Sequence, residues 1–230
     1  MGRREYGQPC SLASALDQIG ERWSLLVVRE LLLGPLRFSE LARAVGGAPT
    51  DVLTRRLRDL EDSGIVRRRE LEAPASGTAY ELTALGRELE RPLLELGRWG
   101  LNFQDAASIA EMPPAMLPNA LRIVLRPPVA GDSLTLGLHS GDRHYRLRVA
   151  DGWIEARRAN RAEEADVTLT GSPWEVMATV VAGEDGEIAA EVEGDRGALE
   201  ALRAMVVLPD GLREGALDEV AAATGAAVAT

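Results

Sequence analysis

The chain has 230 residues and a formal net charge of −10, so it is not a general polyanion binder, although a local basic face remains possible. All 26 basic residues are arginine, which excludes a lysine-bearing phosphate loop and a lysine Schiff base. Cys10 is the only cysteine, so no intrachain disulfide can form.

The charge is unevenly placed. Residues 1–104 hold 15 Arg and 15 acidic residues, whereas residues 105–230 hold 11 and 21. This shift predicts two domains, 1–104 and 121–230, joined by a linker over 105–120. No apolar run approaches a membrane span, and "MGRREYGQPC" lacks the apolar core of a signal peptide, so a cytoplasmic protein with no membrane partner is expected.

In chain order, "SLASALDQI" spaces Leu12, Ala13, Leu16 and Ile19 as one helix face, ended by Gly20. "WSLLVVRELLLGP" reads as a central, nearly all-apolar helix stopped by Gly34-Pro35. "RFSELARAVGG" is a short third helix. In "PTDVLTRRLRDLEDSG", Leu53, Leu57 and Leu60 share a buried face. The opposite face carries Asp51, Arg55, Arg58 and Asp62, with Thr54 at its flank and Arg56 near the buried edge. "IVRRREL", the small-residue turn "EAPASG" and "TAYELT" then predict a hairpin with Arg67, Arg68 and Arg69 on its first strand. A single long helix is expected over "ALGRELERPLLELGRWGLNFQ", kinked at Pro92.

Three helices, an arginine-bearing helix and a hairpin make a mainly α winged helix-turn-helix. Its fourth helix can enter a major groove while hairpin arginines straddle phosphates. The DNA-binding residues expected are Thr50, Asp51, Thr54, Arg55, Arg56, Arg58, Arg67, Arg68, Arg69, Ser76 and Thr78. Thr54, Arg55 and Arg58 would enter the groove, and Arg56 would anchor a phosphate or the fold.

The segments "LDQIGERWSLLVVRELLLGPLRFSELARAV", "VLTRRLRDLEDSGIVRR" and "YELTALGRELERPLLELGRWG" resemble the HxlR-type branch of the MarR-like bacterial transcription regulators, over about residues 10–103. The resemblance implies a homodimer on double-stranded DNA with a palindromic operator. It implies dimer contacts from the segments around Leu12–Ile19 and Leu85–Phe103. Family members carry a cysteine before the first helix, and Cys10 matches that place, which implies a redox role. They usually place Ser before the recognition helix, where this chain has Pro49.

In the second half, "EMPPAMLPNALRIVLRPPVAG" carries five prolines and starts as a linker. "SLTLGLHSG", "RHYRLRVADG", "WIEARRA" and "DVTLTGS" predict at least four strands in a meander. A short helix "SPWEVMATVVAG", a strand "GEIAAEVEGD" and a closing helix "RGALEALRAMV" complete an α+β layer. The stretch Ala165–Met205 resembles the SCP2-type sterol-carrier fold. That resemblance implies an apolar small-molecule or lipid effector, with Trp153, Trp174, Met177, Val181, Leu202 and Met205 as candidate ligand contacts or as ordinary core.

Other chemistry is poorly represented. His139 and His144 lack the further ligands of a zinc site and read as surface residues. "GEDGE" at 183–187 reads as an acidic turn, not a calcium loop. No nucleophile-elbow or dinucleotide fingerprint occurs, so neither an enzyme nor a cofactor is expected. The expectation is a DNA-binding regulator, most simply a repressor. The alternative is a lipid or small-molecule carrier whose helical half serves dimerisation.

Overall fold

The computed structural model describes residues 5–71, 76–104, 111–127, 133–181 and 189–208. The acidic turn at 183–187 and the hairpin tip at 72–75 lie outside the described residues. The chain forms two compact units, Met1–Leu93 and Leu94–Thr230.

The first unit contains α1 (Ser11–Ile19), α2 (Ser24–Leu31), β1 (Leu36–Arg37), α3 (Phe38–Val45), α4 (Thr50–Asp62), β2 (Val66–Glu70), β3 (Thr78–Leu82) and α5 (Ala84–Arg87). Its core joins Val28 and Leu31 of α2, Leu41 of α3, and Leu53, Leu57 and Leu60 of α4. Each of these leucines is at most 1% exposed, and burying one stabilises the fold by about 1.5–3 kcal/mol. α3 starts where the Arg37 amide donates to the Glu40 carboxylate at 2.8 Å.

α4 ends in a closed cap. The Gly64 amide donates to the Glu61 carbonyl and the Ile65 amide to the Leu60 carbonyl, both at 2.9 Å. Gly64 sits at φ +68°, a backbone state that suits glycine. This reversal sends the chain straight into β2. The hairpin is joined by β1, which the sequence patterning did not reveal, to give the order β1-β3-β2.

The long helix expected after the hairpin is broken. α5 stops at Arg87, and α6 (Glu90–Gly100) is followed by a 3-10 turn over Leu101–Phe103. Pro92 lies in the first turn of α6, where a missing N–H leaves no intrahelical bond unmade.

In the second unit, a helix α7 (Leu117–Val124) forms within the proline-rich segment. Pro118 sits at its N-terminus, and Leu117 and Leu121 are fully buried. The sheet contains β4 (Leu134–Ser140), β5 (Arg143–Ala150), β6 (Trp153–Arg158), β7 (Val167–Thr170) and β8 (Glu191–Gly194), in the order β6-β5-β4-β7-β8. Helices α8 (Pro173–Val181) and α9 (Arg196–Arg203) complete the unit.

The expected four-stranded meander is therefore three strands. β7 crosses back and runs parallel to β4. The Asp166 carboxylate accepts from the Thr135 amide at 2.6 Å and its hydroxyl at 2.7 Å, which ties the start of β7 to the start of β4. Alternation specifies strand faces but not strand neighbours.

α7 is held from three sides. Arg98 of α6 donates to the carbonyls of Arg122 and Ile123 at 3.1 Å. The buried Arg122 donates to the Ile154 carbonyl of β6 at 3.0 Å. Beyond α7, Leu125 bridges to Val206.

Candidate nucleic-acid interface

α4 has one face in the core and the other in solvent. Thr50, Asp51, Arg55, Arg58 and Asp62 are exposed, and Thr54 is half-buried on the flank. The Thr54 hydroxyl donates to the Thr50 carbonyl at 2.7 Å. Arg55 reaches Asp51 only at 4.0 Å, a weak surface pair. Arg58 forms no ion pair among the described residues. Pro49 is the N-cap, so the first turn has no side-chain cap.

Arg56 behaves differently from its neighbours. It is 8% exposed and pairs with Asp59 at 3.0 Å and Glu21 at 3.6 Å. Glu21 lies between α1 and α2, so Arg56 joins the loop before α2 to α4. Its contacts are those of a residue that anchors the fold.

The hairpin arginines are exposed yet already paired. Glu81 of β3 is 7% exposed and lies opposite Arg67. It accepts from Arg67 at 2.7 Å and from Arg69 at 3.4 Å. Arg68 turns to the other face, meets Glu61 at 3.0 Å and lies over the Tyr80 ring at 5.7 Å. Sequence spacing revealed the arginines but missed Glu81, which only the register brings between them. Thr78 donates its hydroxyl to Glu70 at 3.0 Å, and Ser76 is exposed at the hairpin end.

Other named residues fall as follows. Cys10 is an exposed free thiol at the N-cap of α1. Trp174, Met177 and Leu202 are buried in the second unit, whereas Trp153, Val181 and Met205 are half-buried. His139 and His144 face each other across β4 and β5, half-buried, with ring centroids 4.7 Å apart. Burial first, then the neighbouring His144 and Arg161, hold the His139 pKa below the ordinary 6.5. Among the described residues no group of three or more His, Cys, Asp or Glu could hold a metal ion, and no helix is long and apolar enough to cross a membrane.

Two family models match the chain: HxlR-like helix-turn-helix over residues 18–108, and alkyl sulfatase C-terminal over residues 102–211. The chain is 36% identical over 104 residues to an HTH-type transcriptional regulator of Synechocystis sp., covering 45% of this chain and 77% of the relative. It is 39% identical over 90 residues to an HTH-type transcriptional regulator of Mycobacterium bovis, covering 39% of this chain and spanning 56% of that relative's length. Among solved structures, the oxidized form of the redox regulator HypR is 33% identical, with a TM-score of 0.39, covering 42% of this chain and 99% of that one. The matched family model and the two sequence relatives agree: the chain belongs to the HxlR-like helix-turn-helix family of DNA-binding transcription regulators.

Proposed function

We propose that this protein is a homodimeric repressor that reads a palindromic operator through α4 and senses an apolar effector through its second unit. The observation carrying the DNA reading is the outward face of α4. Among the described residues, Arg55 and Arg58 are the site arginines without a strong partner of their own, and they project from a helix seated by Leu53, Leu57 and Leu60. Guanidinium groups so placed suit guanine edges in a major groove. Thr54, with Thr50 and Asp51 at the helix start, would flank the base contacts. Arg67, Arg68, Arg69, Ser76 and Thr78 would meet the backbone, using guanidinium donors not taken by Glu81 and Glu61.

Dimerisation is supported by exposed apolar side chains on α1, on α6 and in the 3-10 turn that follows it. Leu12, Leu96, Trp99 and Phe103 are 67%, 49%, 62% and 71% exposed. The second unit we read as an SCP2-like ligand-binding unit, with Trp153, Trp174, Met177, Val181, Leu202 and Met205 among its contacts. Cys10 we read as an auxiliary redox switch, because its thiol is exposed at a helix N-cap.

The test is a binding titration on a palindromic duplex selected from random DNA. Arg55→Ala with Arg58→Ala should weaken operator binding by at least about tenfold, given about 1–3 kcal/mol per bidentate base contact. Its melting temperature should match the parent's. Unchanged affinity would remove α4 from the interface.

A further inference from the structure

Helix α4 is held from both flanks. At about 100° per residue, Asp59 and then Arg56 lie to one side of the outward face, and Thr54 and Glu61 lie to the other. The hairpin occupies the second flank, where Arg68 of β2 meets Glu61 at 3.0 Å. The turn between α1 and α2 occupies the first, where Glu21 meets Arg56 at 3.6 Å.

That turn contains a strained residue. Trp23 has φ +82°, a left-handed backbone state that a bulky aromatic residue seldom adopts. Such strain persists only where the surroundings over-determine it, and it gathers at functional positions. Here the Ser24 amide donates to the Glu21 carbonyl at 3.1 Å, and the Trp23 carbonyl accepts from the Val27 amide at 2.9 Å. The indole packs against the core of the first unit. Its outer corner, Cη2, lies 3.7 Å from the place a Cβ on Gly47 would take, in the turn that leads into α4.

Arg22 rests on this platform. Its guanidinium carbon is 5.2 Å from the Trp23 ring centroid, within cation–π range. Arg22 is exposed and forms no ion pair among the described residues. Glu21 and Asp59, the carboxylates of this flank, both pair with Arg56. The reversal at Trp23 thus seats Glu21 against α4 and leaves Arg22 exposed beside it.

We infer that Arg22, held on the Trp23 ring, contacts a DNA phosphate on the side of α4 opposite the hairpin. The inference rests on the reading of α4 as the helix that enters the major groove, and it adds a contact outside that helix and the hairpin. A helix in a major groove runs between two phosphate strands. The hairpin arginines face one of them, and the turn between α1 and α2 is the element beside the other. A guanidinium stacked on a ring is already oriented, so less freedom is lost when it binds. Its bond to a phosphate oxygen is charge-assisted and reads no base.

The experiment uses the intact protein with the palindromic duplex selected for it and with a duplex of unrelated sequence. Arg22→Gln should weaken both by a similar factor, about fivefold at low salt, and flatten the log–log salt dependence by about one unit per protomer. Its melting midpoint should match the parent's. Arg22→Lys should restore the slope, because it restores the charge. Neutral methylphosphonates, placed one at a time along each strand, locate the contact. In each half-site one such position should weaken the parent and leave Arg22→Gln unaffected. It should lie across the major groove from the position that Arg68→Gln silences in the same way.

Unchanged affinity and slope in Arg22→Gln overturn the inference. So does a loss confined to the operator, which would mean that Arg22 acts through the base contacts of α4. A loss with no methylphosphonate position silenced overturns it too, and assigns Arg22 a role in positioning the helix. The pair Arg55→Ala with Arg58→Ala is measured in parallel. If that pair leaves operator affinity unchanged while Arg22→Gln still flattens the slope, the base-reading role of α4 fails and the phosphate contact at Arg22 stands without it.

Discussion

Neighbouring arginines on α4 do different work because the helix turns them to different surroundings. Arg56 faces inward to Asp59 and Glu21, so Arg56→Met should lower the stability of the first unit by about 1–2 kcal/mol, the range for a partly buried pair. A thermal melt would register that loss, while operator affinity at a temperature where the variant is folded should stay within about twofold of the parent, as expected for a residue outside direct base contact. Glu81 holds Arg67 and Arg69 together, and its replacement separates two roles. If it mainly neutralises them, Glu81→Gln should tighten DNA binding by about threefold at low salt, since a nearby negative charge is removed. Weaker binding in that variant would mean that Glu81 chiefly positions the arginines.

Among the elements, the junction from β3 into α5 is the least tolerant. The Thr83 hydroxyl donates to the Gly64 carbonyl at 2.6 Å and accepts from the Gly86 amide at 3.1 Å. A Cβ on Gly86 would lie 2.1 Å from the Ile65 carbonyl oxygen, which is backbone and cannot swing aside. Gly86→Ala should therefore cost about 1–3 kcal/mol, read as a lower melting midpoint of the first unit. In the second sheet, the β4–β5 pair carries a pH dependence. His139 has its folded pKa held below the ordinary 6.5 by burial, so its unfolded state takes up a proton first as pH falls. Stability is thus unaffected well above 6.5 and declines as pH drops through 6.5 toward the lower folded value. His139→Gln should flatten that decline in urea melts run across acidic pH; an unaltered slope would assign it to other groups.

For the molecule as a whole, the sequence was most legible where a local pattern decides the outcome. Leu53, Leu57 and Leu60 recur at helical spacing and do lie in one core, and the outward placement of Arg55 and Arg58 follows from the same period. Long-range partners were not legible. The pairing of Arg67 and Arg69 with Glu81 depends on β2–β3 register, and the parallel placement of β7 depends on Asp166 meeting Thr135. Neither depends on neighbouring sequence. α7 was hidden because its prolines read as linker, although Pro118 occupies an N-terminal position where helices accept it. The long helix expected after the hairpin was overextended for a related reason: apolar spacing continues across Glu88 and Leu89, where the backbone turns instead.

The self-paired arginines of the hairpin have a consequence for how binding responds to ionic strength. A guanidinium already neutralised by Glu81 brings little net positive charge to a phosphate and so displaces fewer of the counterions condensed on the DNA. Counting the three hairpin arginines as free cations on phosphates would contribute about −3 per protomer to the log–log slope; discounting Arg67 and Arg69, which share Glu81, leaves about −1. The shallower slope is expected for this protein, and Glu81→Gln should steepen it by about one to two units. An acidic regulator built this way would hold its operator over a wider range of salt than its arginine content suggests.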